Sequence, residues 1–232
     1  MGIRLGGNNQ RMKSRWSVRL SLLGLCGLTI GACSSGTAGN GESAKSATRI
    51  IADAKNATSS LQTLHVAGTF SNAAFNSIDL NVGQTHGGGS VKVNQQQISV
   101  YADQNRVYLY AAPSTWLALS KNPASQKLGN RWVEFPSGSA IFTQFGVNSV
   151  QKLIDGTLNQ SPKSLTKGPI TTFQGRKAIP LRAGNQTIYV AEEGPPYLLG
   201  LQSAGTVTFD QFNTAVVPSA PATSTPAADL IK

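Results

Sequence analysis

The chain has 232 residues, 40% of them hydrophobic and 13% charged, with 20 Lys+Arg against 10 Asp+Glu, two Cys and two His. That is enough chain for one domain with a real core. It holds too few Cys and His for a disulfide framework or for a zinc centre built from those ligands.

The positive charge is uneven. Arg4, Arg11, Lys13, Arg15 and Arg19 precede the first apolar run with no acid among them. Residues 20–30 are apolar, about the length of the hydrophobic core of an export signal and too short to span a bilayer. Ile30-Gly31-Ala32-Cys33 follows, with small residues that let a peptidase groove close on the backbone. Residues 1–32 are therefore expected to be an export signal. A Cys directly after the cut resembles the lipobox of bacterial lipoproteins, in which that thiol takes a diacylglycerol and becomes the first residue. The resemblance implies a mature chain anchored through Cys33 at the outer face of a membrane. An ordinary secretory signal with a chance Cys after the cut is the alternative. Removing 1–32 leaves 15 basic residues against 10 acidic ones, so the sequence pI near 9.9 overstates the charge of the mature chain. Cys26 leaves with the signal, and no thiol pair remains for a disulfide.

Residues 33–46 are small and polar and read as a flexible tether. Residues 47–214 form the predicted domain. Ile50, Ala54, Ala57, Leu61 and Leu64 make one apolar stripe at helical spacing, with Ser46 or Thr48 as a cap. After Leu64 the period changes to two. Val66 and Phe70, then Ile78, Leu80 and Val82, then Val91 and Val93, then Ile98 and Val100 alternate with small or polar residues. Between these runs, residues 83–89 read as a mobile glycine-rich turn, and residues 103–105 as another. In 106–111, Val107 and Leu109 fall on one face and Tyr108 and Tyr110 on the other, as in a central strand covered on both sides.

Residues 113–119 read as a short helix with Pro113 in its first turn, 121–129 as a loop and 131–135 as a strand. Residues 137–147 are apolar and loosely patterned. Residues 148–158 read as a helix with Val150, Leu153, Ile154 and Leu158 on one side. Strands return at 170–173, 177–181, 187–191, 197–202 and 206–212, punctuated by Gly175, Gly184, Gly194 and Gly205. Residues 215–232, rich in Pro, Ala, Ser and Thr, read as a disordered tail. Helix, meander, short helices, meander is the order of an α+β domain with one large antiparallel sheet.

Catalytic chemistry is hard to find. His65 sits at the helix-to-strand junction and His86 in the glycine-rich turn, and both read as surface histidines. The glycine run 87–89 lacks the lysine of a phosphate loop, and no nucleophile elbow or His-Glu-x-x-His is present. Glu192-Glu193 precedes Gly194-Pro195-Pro196 and reads as a solvated turn. No enzyme activity, metal or other cofactor is expected. Between Lys121 and Arg182 nine Lys+Arg stand against Glu134 and Asp155. This is either a solvated basic face or one attracted to anionic phospholipid. Nucleic acid is not an expected partner of an exported protein.

Three stretches carry a family resemblance. They are the helix end Leu61-Gln62-Thr63-Leu64-His65-Val66-Ala67-Gly68, the Trp-containing segment Asn130-Arg131-Trp132-Val133-Glu134-Phe135, and the hairpin from Thr187 to Leu198. With the lipobox, the tether and the exit segment 209–217, they resemble the LppX/LprG-type lipoproteins and, in the hairpin, LolA-like carriers. Tyr189 stands where a Trp is common, and Ala191 where an acid is common. The resemblance implies a curved antiparallel half-barrel with helices covering its concave face. It also implies an apolar cavity that holds a lipid or an acylated ligand during transport through the envelope, with an envelope transporter as a further partner. Leu80, Val91, Val93, Ile98, Val100 and Leu109 are the expected sheet side of that cavity, because their faces are aliphatic. Trp116, Ile141, Phe142 and Phe145 are its expected lid. A lipoprotein of the same fold with a closed core, acting by structure or interaction, is the alternative.

Overall fold

The computed structural model describes residues 39–71, 75–158 and 164–230. The expected signal, Cys33 and the first part of the tether lie outside the described residues.

Helix α1 (Ala47–Ser59) starts at Ser46, whose side chain accepts from the Arg49 amide at 3.3 Å. It buries Ile50, Ala54 and Thr58. Thr58, not Ala57, completes the buried stripe, because its hydroxyl is fully satisfied. It donates to the Ala54 carbonyl at 2.7 Å and accepts from the Leu198 amide at 2.9 Å.

The first meander follows: β1 (Thr63–Phe70), β2 (Phe75–Gly83), β3 (Gly87–Val93), β4 (Gln96–Ala102) and β5 (Arg106–Tyr110). Then come α2 (Pro113–Ser120), a 3-10 turn (Pro123–Leu128), β6 (Trp132–Pro136), α3 (Ala140–Phe145) and α4 (Val150–Leu158). The loosely patterned stretch thus contains α3, capped by Ser139, whose Oγ accepts from the Phe142 amide at 3.1 Å. The second meander is β7 (Thr166–Lys167), β8 (Thr171–Phe173), β9 (Arg176–Ala183), β10 (Gln186–Ala191), β11 (Leu198–Gln202) and β12 (Gly205–Asp210). The chain ends in β13 (Thr225–Pro226) and α5 (Ala227–Leu230).

The strands join into one curved, unclosed sheet in the order β13-β6-β5-β4-β3-β2-β1-β12-β11-β10-β9-β7, with β8 also on β9. The two meanders zip together where β1 pairs antiparallel with β12, Val66 opposite Phe209. Among the described residues every strand pairing is antiparallel except β13 on β6. The helices lie on the concave face: α1 against β10 and β11, α2 against β4, α3 against β5 and β6, and α4 against α1. The core between helices and sheet runs from Ile50 and Leu64 to Val133 and Phe135. A smaller cluster of Phe173, Ala178, Ala191 and Leu199 lies apart from it.

Three sequence expectations differ from the structure. Residues 39–46 are packed: Asn40 Nδ2 donates to the carbonyls of Ala191 at 3.0 Å and Gly194 at 2.9 Å, and Glu42 is buried beside Lys45. Composition alone suggested a tether, but one Asn satisfies two turn carbonyls.

Glycines 87–89 belong to strand β3, not to a mobile turn. A Cβ at Gly87 would lie 2.7 Å from the Val147 carbonyl oxygen, and one at Gly88 would lie 2.8 Å from Pro218 Cγ. At Gly89, with φ +152°, a Cβ would collide with the Asp79 carbonyl. The bare strand lets the Val147 backbone approach one face and the Pro218 ring the other.

The tail is not free either. Val217 and Pro218 lie against Gly83 and Gly88, and Thr223–Thr225 border Tyr110 and Trp132. Thr225 then pairs in parallel with Val133, and Ser224 donates to Glu134 at 2.8 Å. The segment therefore crosses the outer face of β3–β6, where Tyr101 and Tyr108 are buried although they point away from the helices. Tyr108 is covered as expected of a central strand, whereas Tyr110 stays 39% exposed.

Candidate functional site

Between the sheet and α3–α4 the packing leaves a cavity of about 310 Å³. Its sheet wall is Ile78 and Leu80 of β2, Gly87, Gly88 and Val91 of β3, and Val100 of β4. Phe70 and Phe75 close the end where β1 hands over to β2. Gln144, Phe145, Val147 and Leu153 form the lid. Phe75 meets Phe145 edge to face with ring centroids 5.5 Å apart, so sheet and lid are joined by an aromatic contact. Among the described residues Gln144 is the one polar side chain of the lining, and none of the lining residues is ionisable. A second cavity of about 250 Å³ lies beside the first. Phe70, Ile78 and Leu153 line both and form the partition. The second cavity is more polar, with Gln186, Ser203 and Thr157 in its wall.

Strand alternation explains which side chains face the first cavity. Ile78 opposes Val91, and Gly89 lies between Leu80 and Val100, so these positions share the concave face. Gly87 and Gly88 border the cavity with backbone alone, and the missing side chain at Gly87 lets the Val147 carbonyl of the lid close against the strand.

Four of the ten expected positions line this space: Leu80, Val91, Val100 and Phe145. Val93, Ile98, Leu109 and Trp116 do not. They are buried in the main core, because α2 fills that end of the half-barrel and Trp116 packs on Phe135 at 6.1 Å between ring centroids. Ile141 and Phe142 are half-buried against the core and do not line the cavity, while the next turn of α3 places Phe145 there. Phe70, Phe75, Ile78, Val147 and Leu153 were not anticipated. Their signal, aromatics flanking a strand-to-strand turn and an apolar α4 face, is shared with ordinary core.

On the convex side, directly behind this wall, His65 bridges two strands. Its Nδ1 lies 2.6 Å from Asp210 Oδ1 on β12, and its Nε2 lies 3.1 Å from Asp79 Oδ1 on β2. Burial opposes the charged ring, but hydrogen bonds to Asp210 and Asp79 outweigh it and raise the His65 pKa above its ordinary value. His65, expected as a surface histidine, is thus a half-buried clip between strands. Among the described residues no three His, Cys, Asp or Glu gather as metal ligands, and no helix is long and apolar enough to cross a membrane.

Neither a protein-family model nor a curated protein matches the sequence. Solved structures do match the fold. The lipoprotein LppX of Mycobacterium tuberculosis is 15% identical, with a TM-score of 0.50 over 73% of this chain and 96% of that one. The chain has the LppX fold. LprF of Mycobacterium bovis is similar at 14% identity and a TM-score of 0.49, over 75% of this chain and 96% of its own. The α+β half-barrel expected from the sequence is the architecture present.

Proposed function

We propose that the protein is a membrane-anchored envelope lipoprotein of the LppX/LprG type that carries a lipid or an acylated ligand, and that it is not an enzyme. The observation that carries this reading is the cavity of about 310 Å³ walled by aliphatic and aromatic side chains with Gln144 as its one polar member. An acyl chain moving through water needs its methylenes covered, at about 0.8 kcal/mol for each one buried. A wall without ionisable groups supplies that cover and no proton-transfer chemistry. The first cavity is at the lower end of the roughly 300–1,000 Å³ typical of small-molecule sites, and the second, at about 250 Å³, falls below it. Rotation of Leu153 or Phe70 out of the partition would join the two. The ligand residues of this reading are Leu80, Val91, Val100 and Phe145 together with Phe70, Phe75, Ile78, Val147 and Leu153. The anchor is diacylglycerol on Cys33. The LppX fold supports the reading because LppX is itself a lipoprotein.

Native mass spectrometry of protein purified from its own host tests both halves. The anchor predicts a covalent mass consistent with a diacylated N-terminal Cys33. The carrier predicts a second, non-covalent mass that is lost on delipidation and restored by a fluorescent fatty acid in a saturable way. A delipidated protein that gives no saturable binding has a closed core, and the carrier reading is then wrong.

A further inference from the structure

The protein's N-terminal strap and its second cavity occupy opposite ends of the sheet. The strap is fixed at Asn40. Its amide donates to the Glu192 carbonyl at 2.8 Å, and its side chain holds the Ala191 and Gly194 carbonyls. Farther along, Lys167 Nζ donates to the carbonyls of Ser43 at 2.6 Å and Lys45 at 2.8 Å. Lys45 in turn pairs with Glu42 at 2.6 Å and Asp53 at 2.8 Å. The chain therefore leaves the body at the β10–β11 turn. From Gly39 back to Cys33 is six residue steps, which reach at most about 20 Å even when fully extended.

The second cavity lies at the other end. Its wall includes Gln186 at the start of β10, Ser203 between β11 and β12, and Gly205 at the start of β12. Gly205 pairs with Phe70 at the far end of β1. Ser203 is exposed, so the cavity meets solvent on this side. The six residues of β10 put about 20 Å between the two ends.

We infer that the Asn40 tie seats the β10–β11 turn against the anchoring membrane and points the mouth of the second cavity away from it. This rests on the anchor at Cys33. A lipid would then be exchanged with a donor or acceptor farther out in the envelope, such as another carrier or another leaflet, and not with the leaflet that holds the anchor. The six residue steps from Gly39 to Cys33 reach at most about the same 20 Å that separates the two ends of β10.

The test uses the full lipidated protein in phosphatidylcholine–phosphatidylglycerol vesicles carrying a contact quencher on the lipid head groups. With Cys33 acylated and Cys26 removed, a single introduced thiol takes the dye. Pro195→Cys marks the β10–β11 turn and Asn185→Cys the β9–β10 turn at the opposite end; both positions are exposed. The expected result is quenching at 195 and none at 185. Inserting about ten Gly and Ser residues between Gly36 and Thr37 adds roughly 30 Å of reach without touching the body, and should abolish quenching at 195. Equal quenching at both positions of lipidated protein, or unchanged quenching at 195 after the insertion, overturns the orientation while leaving the anchor intact. A mature mass without diacylglycerol overturns both.

Discussion

Ile98 and Val100 lie on one strand, point to one face and are 0% and 5% exposed, yet only Val100 lines the first cavity. Replacing each with Asp asks whether that cavity admits water. Either change forfeits about 1.5–3 kcal/mol of apolar burial. At Ile98 the carboxylate is also held in close-packed core, a penalty of several kcal/mol after relaxation. The total approaches the roughly 5–15 kcal/mol that holds a domain together, so Ile98→Asp should be unfolded at room temperature. At Val100 the carboxylate faces about 310 Å³ of space, room for about ten waters at roughly 30 Å³ each. Most of the desolvation cost is then avoided, and Val100→Asp should fold and fail to bind an acyl chain. Circular dichroism melts and fluorescent fatty-acid titrations on the same samples read both effects. If the two variants unfold alike, the cavity is sealed from water and the reasoning fails. If Val100→Asp folds and binds normally, Val100 is not part of the site.

Leu153→Ala removes part of the partition between the cavities, so longer acyl chains should gain affinity relative to shorter ones; an unchanged chain-length profile in a fatty-acid competition series would show that the cavities do not join. His65→Gln should lower stability by about 1 kcal/mol or less at low pH, as for partly exposed ion pairs. The raised His65 pKa means that this contribution is full below about pH 6.5 and fades as pH rises through the folded value. Melting curves of wild type and variant should therefore differ at pH 5.5, and the difference should shrink as pH rises above 6.5. A chain ending at Ser219 loses β13, the Ser224–Glu134 hydrogen bond and α5, so its melting temperature should drop by about 2–8 °C if this part of the tail is worth about 1–2 kcal/mol; an unchanged melt would show that it adds nothing.

Much of the fold was legible because burial follows period. The inward set Ile78, Leu80, Val82, Val91, Val93, Ile98 and Val100 is an alternating pattern, and a pattern of period two fixes a face without knowledge of the neighbours. What composition could not convey was long-range satisfaction of small polar residues. Thr58 enters the core because a strand amide, 140 residues away, needs an acceptor. Asn40 turns a tether into a strap by the same means. The tail looks disordered on its own, since it buries little by itself. It is ordered by β6, which offers an unpaired edge, and by β3, which offers a bare glycine surface.

The site was harder to read than the fold for a physical reason. A wall for acyl chains is built from the residues that build a core, so Ile98 and Val100 are chemically alike in the sequence, and only the position of α2 separates them. Trp116 fills one end of the half-barrel and leaves the other end to the cavity. No period in the chain encodes that division. The one local trace is a cost: three consecutive glycines in a strand weaken it, since glycine loses backbone entropy and contributes no packing. At Gly87 that cost lets the Val147 carbonyl of the lid lie directly on the strand, and at Gly88 it admits Pro218 of the tail from behind. The glycines therefore mark where lid and C-terminal segment press on the two faces of the sheet beside the cavity, not the cavity itself.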